Sequence, residues 1–278
     1  MDHEPHHLHD RGLAFDLATL MDRRRILGIL AGVGAASLVG CTAPADQTAG
    51  GTPSVGTPSG SGPATPGGTA TCEEIPAETA GPYPGDGSNG PDVLSRSGIV
   101  RRDIRSSFGS ASGVAKGIPL TVTLTVLDVA KGCVPLPGAA VYLWHCDMEG
   151  RYSLYSPGAT DQNYLRGVQA ADNAGVLSFT SIFPAAYPGR WPHIHFEVYP
   201  SLEKATSSSD KMVTSQLALP EDVSRAVYAT SGYEASVRNF AQTSLARDSV
   251  FRDGYSRQLA TVTGSTSAGY FASLTVPV

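Results

Sequence analysis

The chain has 278 residues, a formal net charge of −5 and 41% hydrophobic residues. That is enough apolar material for one sizeable core. The mild acidity, with no basic patch and no interleaving of aromatic and basic residues, excludes a nucleic-acid-binding surface.

In chain order, residues 1–41 read as an export signal. Arg23-Arg24-Arg25-Ile26-Leu27 fits the twin-arginine pattern, and the apolar stretch Ile26 to Leu38 is too short to span a bilayer as a helix but suits a signal core. Leu38-Val39-Gly40-Cys41 has the form of a lipoprotein cleavage site, which makes Cys41 the lipidated first residue and the membrane a partner through that anchor. The protein is then expected on the outer face of a bacterial cytoplasmic membrane, or secreted. Met21 is an alternative start, which would leave the leader MDHEPHHLHD outside the natural protein. Residues 42–71 are almost wholly Ala, Thr, Gly, Ser and Pro. Such a segment cannot bury enough apolar surface to offset its ordering entropy, so it reads as a disordered tether. Residues 72–278 form the folding unit.

Ile118 to Val129 alternates apolar residues with threonine and reads as a half-buried antiparallel strand. AAVYLWHC, GVLSFTSIF and HIHFEVY supply three more strands, and TSQLAL, RQLATVTG and GYFASLTVPV another three. Short strands between Gly/Pro/Asp turns indicate an all-β fold, an antiparallel β-sandwich. Helical periodicity is confined to PEDVSRAVYA and EASVRNFAQTSLA, two short surface helices. In an oxidising compartment Cys72, Cys133 and Cys146 should give one disulfide and one free thiol. A strand rising about 3.3 Å per residue separates Cys133 from Cys146 too far for a bridge. Of the pairings with Cys72, that with Cys146 is preferred.

Of the seven histidines, four precede the signal, and His193 and His195 are two of the three that remain. Period two along HIHFEVY puts Ile194, Phe196 and Val198 on one face and His193, His195 and Glu197 on the other. Two imidazoles projecting in parallel can reach one metal ion. The competing reading is an exposed polar face that merely contains histidines. Tyr152 and Tyr187 stand close in sequence to the strands concerned, and a phenolate is a hard oxygen donor suited to Fe(III).

GAAVYLWHCDMEGRYSLYS followed by AAYPGRWPHIHFEV resembles the intradiol ring-cleavage dioxygenases, the family of catechol and protocatechuate 3,4-dioxygenases, at Trp144, Gly150, Tyr152, Pro184, Tyr187, Arg190, His193 and His195. PAETAGPYP, Pro76 to Pro84, resembles the segment that precedes the sandwich in protocatechuate dioxygenases. The resemblance covers residues 72–278 and is nearest the exported, single-chain branch. It implies non-haem Fe(III) held by Tyr152, Tyr187, His193 and His195, with Tyr187 the ligand that leaves when substrate binds. It further implies a catechol-type substrate and O2, and ring opening between the hydroxylated carbons to a muconic acid. Arg190 would stabilise negative charge on the substrate ring and Gln216 would hydrogen-bond near the iron. Tyr83 would line the mouth of the site, and His145 would be structural. The family's helical dimerisation region is replaced by the tether, and the Tyr187–Arg190 loop is only two residues long.

Two readings from other classes compete. A non-enzymatic transthyretin-like or carbohydrate-binding lipoprotein module explains sandwich and tether but not the paired histidines with placed tyrosines. A cupin-type metal site needs a glutamate three or four residues beyond the histidine pair, whereas Glu197 is two beyond His195.

The lipoprotein reading predicts that Cys41→Ala moves the protein from the membrane fraction to the soluble one, because several acyl chains are needed for stable anchoring. Retention of the variant on membranes washed with high salt would contradict it.

Overall fold

A computed structural model describes residues 72–278; the export signal, Cys41 and the tether lie outside the described residues. The described chain is a sandwich of two sheets. The first contains β1 (Pro119–Asp128), β2 (Val134–Pro135), β5 (Val176–Ile182), β8 (Thr261–Ser265) and β9 (Gly269–Pro277). One edge of β1 carries β9, and the other is shared by β5 and, at its end, β2. The second sheet runs β4 (Arg166–Ala170), β3 (Ala140–Trp144), β6 (His193–Tyr199) and β7 (Val213–Ala218), antiparallel throughout. Helices α1 (Glu221–Tyr228) and α2 (Glu234–Ala241) follow β7, where the sequence places them.

The alternation expected for β1 is observed: Leu120, Val122, Leu124 and Val126 are buried, and the threonines between them are half-buried. They face Val141, Leu143, Ile194, Phe196 and Val198 of the second sheet across one core. Each such side chain contributes roughly 1.5–3 kcal/mol by leaving water.

The β-sandwich is as expected; one expectation, the disulfide, needs correction, and two features go beyond the sequence reading. The sandwich is not antiparallel throughout, because β1 and β9 run parallel from Leu120↔Tyr270 to Leu127↔Pro277. Strands 1 and 9 are far apart in sequence, so no hairpin turn constrains their relative direction. Strand β4 was not anticipated, because Arg-Gly-Val-Gln-Ala offers no clear alternation. The disulfide joins Cys72 to Cys133 rather than to Cys146, with Cα atoms 5.8 Å apart. The first described residues run beside the end of β9, with Ile75 N donating to Pro277 O, and the end of β9 adjoins the β1–β2 turn that carries Cys133. Cys146 follows β3, is buried, and points its thiol at Ala185 O.

The second sheet is covered on both faces, and this positions the site. Every residue of β6 is buried, so the exposed-face alternative for the histidines is excluded. A second apolar cluster, including Val93, Leu94, Tyr142, Trp144 and Tyr152, covers the histidine side.

Loss of a bridge closing this 61-residue separation costs about 2–4 kcal/mol. Cys133→Ser should lower the unfolding free energy by that amount, measured by urea denaturation. A peptide map of unreduced protein should contain a Cys72–Cys133 pair, and a Cys72–Cys146 pair would overturn the assignment.

Candidate metal centre

Strand β6 carries His193 and His195 with their Nε2 atoms 3.1 Å apart. The Nδ1–H of His193 donates to Trp191 O, which leaves the Nε2 lone pair facing the centre. The His195 ring stacks on Trp144, its register partner on β3, at 4.9 Å and 6°. Gly81, with φ +69°, also approaches the ring, and a Cβ there would stand 3.3 Å from His195 Cε1. Any larger residue at position 81 would press on the imidazole. Burial lowers the pKa of His193 to about 3 and holds that of His195 well below the usual histidine value. Both rings are therefore neutral donors at physiological pH.

Two phenols complete the group. Tyr187 Oη lies 3.1 Å from His193 Nε2 and 3.4 Å from Tyr152 Oη. Tyr152 is buried in the loop after β3, which Asp147 folds by accepting hydrogen bonds from the backbone of Glu149 and Arg151 and from the side chains of Arg151 and Tyr164. Gly150, at φ +84°, lets the two tyrosine loops approach, since a Cβ there would be 3.3 Å from Tyr187 Cβ. Burial first, and the neighbouring Tyr187 second, raise the Tyr152 pKa far above its ordinary value. Ionising that phenol therefore requires a cation beside it.

The donor set fits the ion the resemblance implies. Among the described residues no three His, Cys, Asp or Glu side chains form a group able to hold a metal. Two neutral imidazoles and two phenol oxygens do converge, and they suit a hard trivalent ion.

Arg190 is buried, and its Nε donates to Asp248 Oδ2 at 2.9 Å while Nη2 donates to Gln216 Oε1 at 2.7 Å. Gln216 sits on β7 opposite His195, and its Nε2 donates to Thr79 O. In this structure Gln216 therefore ties Arg190 to the segment that carries Gly81. The Tyr83 ring lies tilted against the Tyr152 ring, with centroids 4.8 Å apart. His145 engages both ring nitrogens, with Cys146 O and Ser181 Oγ, as a structural residue should. Sequence reasoning missed Asp248, which accepts from Arg190 and from the backbone N–H groups of Trp191, Val250 and Phe251. An aspartate in an unpatterned loop carries no signal of that role.

Residues 89–196, which include all four candidate donors and Arg190, match the dioxygenase family model. The structure aligns with an intradiol ring-cleavage dioxygenase from Tetranychus urticae at 25% identity and a TM-score of 0.53, over 66% of this chain and 87% of that one. The chain is thus similar to intradiol ring-cleavage dioxygenases. Among curated relatives, a catechol 1,2-dioxygenase from Pseudomonas sp. (strain EST1001) is 42% identical over 53 residues, and a chlorocatechol 1,2-dioxygenase from Rhodococcus opacus is 40% identical over 53 residues. Each match covers 19% of this chain, and the chain spans only 17% and 21% of those two enzymes. The intradiol likeness thus rests on the central segment for sequence and on most of the described domain for fold.

Asp248 tests the electrostatics of this site. Burial alone would raise its pKa, but the Arg190 charge and the hydrogen bonds to it outweigh that and hold it below the usual value. A depressed carboxyl contributes stability above its unfolded pKa and loses it as pH falls through the folded value. Asp248→Asn should therefore cost about 3–5 kcal/mol at pH 7. The gap from wild type should close as pH drops below about 4, and a gap independent of pH in urea unfolding would contradict the ion-pair account.

Proposed function

We propose that this protein is a non-haem ferric dioxygenase that cleaves catechol-type rings between the two hydroxyl-bearing carbons with O2, giving muconic acid-type products. The observation that carries the reading is the convergence of Tyr152 Oη, Tyr187 Oη, His193 Nε2 and His195 Nε2, linked by contacts of 3.1–3.4 Å. Those four side chains would hold the ion. Ferric iron bound there supplies Lewis-acid polarisation and a template for catechol and O2.

The chain's own groups do the rest. Tyr152, buried and roofed by Tyr83, is the fixed phenol donor. Tyr187 is the less buried phenol; held as a phenolate beside the cation, its Oη would accept the proton of a catechol hydroxyl as the substrate settles. Arg190 is held by Asp248 and Gln216 before substrate arrives, so its guanidinium meets negative charge growing on the ring without reorganising. Trp144 stacks on the His195 ring, and Gly81 leaves no room for a side chain beside it. A binding module with no catalytic role has no use for neutral imidazoles and phenols gathered in this way. On the strength of the N-terminal sequence we place the reaction outside the cytoplasm, on a lipid-anchored enzyme.

The test begins with the purified protein. It should contain iron and absorb in the visible by phenolate-to-iron charge transfer, which a d¹⁰ zinc ion cannot give. It should consume O2 with at least one of catechol, protocatechuate, hydroxyquinol or a caffeoyl-type catechol, and both atoms of labelled O2 should appear in the product. Tyr187→Phe should lower kcat by roughly 10²–10⁴ while a catechol complex still forms. Tyr152→Phe should weaken iron binding and activity together. A colourless zinc protein, or a Tyr152→Phe variant with unchanged colour and rate, would sink the assignment.

A further inference from the structure

Arg166 opens strand β4 opposite Trp144, which is itself opposite His195, and it is 1% exposed. Among the described residues it makes no ion pair. Its five N–H groups all donate to neutral oxygens: Nε to Ser153 Oγ, Nη1 to Pro84 O and Tyr142 Oη, and Nη2 to Tyr83 O and Ser153 O. A guanidinium buried without a directly paired anion is costly to keep, and here every donor is satisfied. Apart from Tyr142 on β3, the acceptors fall on two segments remote in sequence. One carries Tyr83, whose ring packs against that of Tyr152, and Gly81, which abuts His195. The other carries Ser153, the residue after Tyr152.

The surroundings are shaped to the guanidinium. Gly85 has φ +68°, and a Cβ there would lie 2.7 Å from Arg166 Nη1. The Gly85 N–H is held by Tyr155 Oη, and the Tyr155 ring lies 5.5 Å beneath the guanidinium carbon. Leu154, inside the second segment, adopts φ +74°, a conformation that leucine holds only when its neighbours enforce it. Tyr142 Oη, which accepts from Arg166, itself donates to Pro84 O. A lysine has three donors on a single atom and cannot reproduce a planar fork that reaches both segments.

We propose that Arg166 is a positioning residue that fastens the Tyr83–Pro84 segment to the Tyr152 loop. One buried cation thereby sets both the placement of the first candidate iron ligand and the aromatic wall that selects the substrate ring. The substrate half of this inference rests on the dioxygenase reading; the fastening does not.

The experiment compares wild type with Arg166→Lys, each alone and combined with Tyr83→Ala, in the protein extending from Cys41. In metal-free protein, hydrogen exchange should show the amides of Gly81, Tyr83, Gly85 and Asp86 and those of residues 150–156 losing tenfold or more protection together in Arg166→Lys, while β1 and β9 keep theirs. In iron-loaded protein, Arg166→Lys should shift the phenolate charge-transfer band and raise KM for the best catechol about tenfold, with kcat changed less. In the Tyr83→Ala background the KM effect should shrink below twofold and the band shift should persist. Should Arg166→Lys fail to fold, Ser153→Ala and Tyr142→Phe, which remove single acceptors, decide by the same band and exchange measurements. Unchanged exchange in the two segments, an unmoved band, or a KM effect that is the same with and without the Tyr83 ring would each overturn the proposal. Absence of iron or turnover in wild type alongside coupled loosening of the two segments would instead remove the dioxygenase reading and leave the fastening intact.

Discussion

Burying two imidazoles on the outer face of a β-strand obliges the chain to cover that face with groups that tolerate polarity. Strand β6 meets the core through Ile194, Phe196 and Val198, so its other face would ordinarily be solvated. Here it is buried instead, and every residue from His193 to Tyr199 is inaccessible. The cover comes from the segment before β1 and from the loops after β3 and β5, and aromatic rings meet the histidines: Trp144 of β3 stacks on His195, Tyr152 lies beside His195, and Tyr187 lies beside His193. Low polarity keeps the imidazoles neutral and would keep the phenols protonated unless a cation sits beside them. The same burial therefore makes the site unsuited to hold bare charge and suited to hold a metal ion.

Farther along the face, Glu197 shows that the rule is general. It lies on the histidine side of β6, fully buried, and it accepts hydrogen bonds from Tyr199, Lys211 and Thr214. Buried polar groups persist where partners are supplied from other elements. Lys211 comes from the stretch before β7 and also lies 3.7 Å from Asp86, a residue of the covering segment. The cover is thus held down by an ionic contact there and by hydrogen bonds nearer the candidate donors.

The two buried arginines beside the site solve the same problem differently. Arg190 has a carboxylate partner in Asp248, and the pair is compact because Asp248 is itself held by three backbone N–H groups. Arg166 spreads its charge over five neutral oxygens drawn from three parts of the chain. The first arrangement keeps a guanidinium in place for chemistry, while the second ties segments together. Arginine suits both tasks because its donors are planar and divergent.

Periodicity by itself determined most of the strands, the core face of β1 and β6, and the pairing of His193 with His195, because strand geometry alternates side chains whatever the rest of the chain does. The tyrosines and Arg190 were legible only through local motifs, in which a glycine or a proline precedes the functional residue for a reason visible in the fold: Gly150 makes room for Tyr187. Tertiary structure alone decided the rest. The parallel run of β9 beside β1, the Cys72–Cys133 bridge and the capture of Arg190 by Asp248 all join residues separated by scores of positions. No local pattern encodes such pairings. They follow from which edges and cavities remain when the two sheets close on one another, and that is settled by the packing of the whole chain.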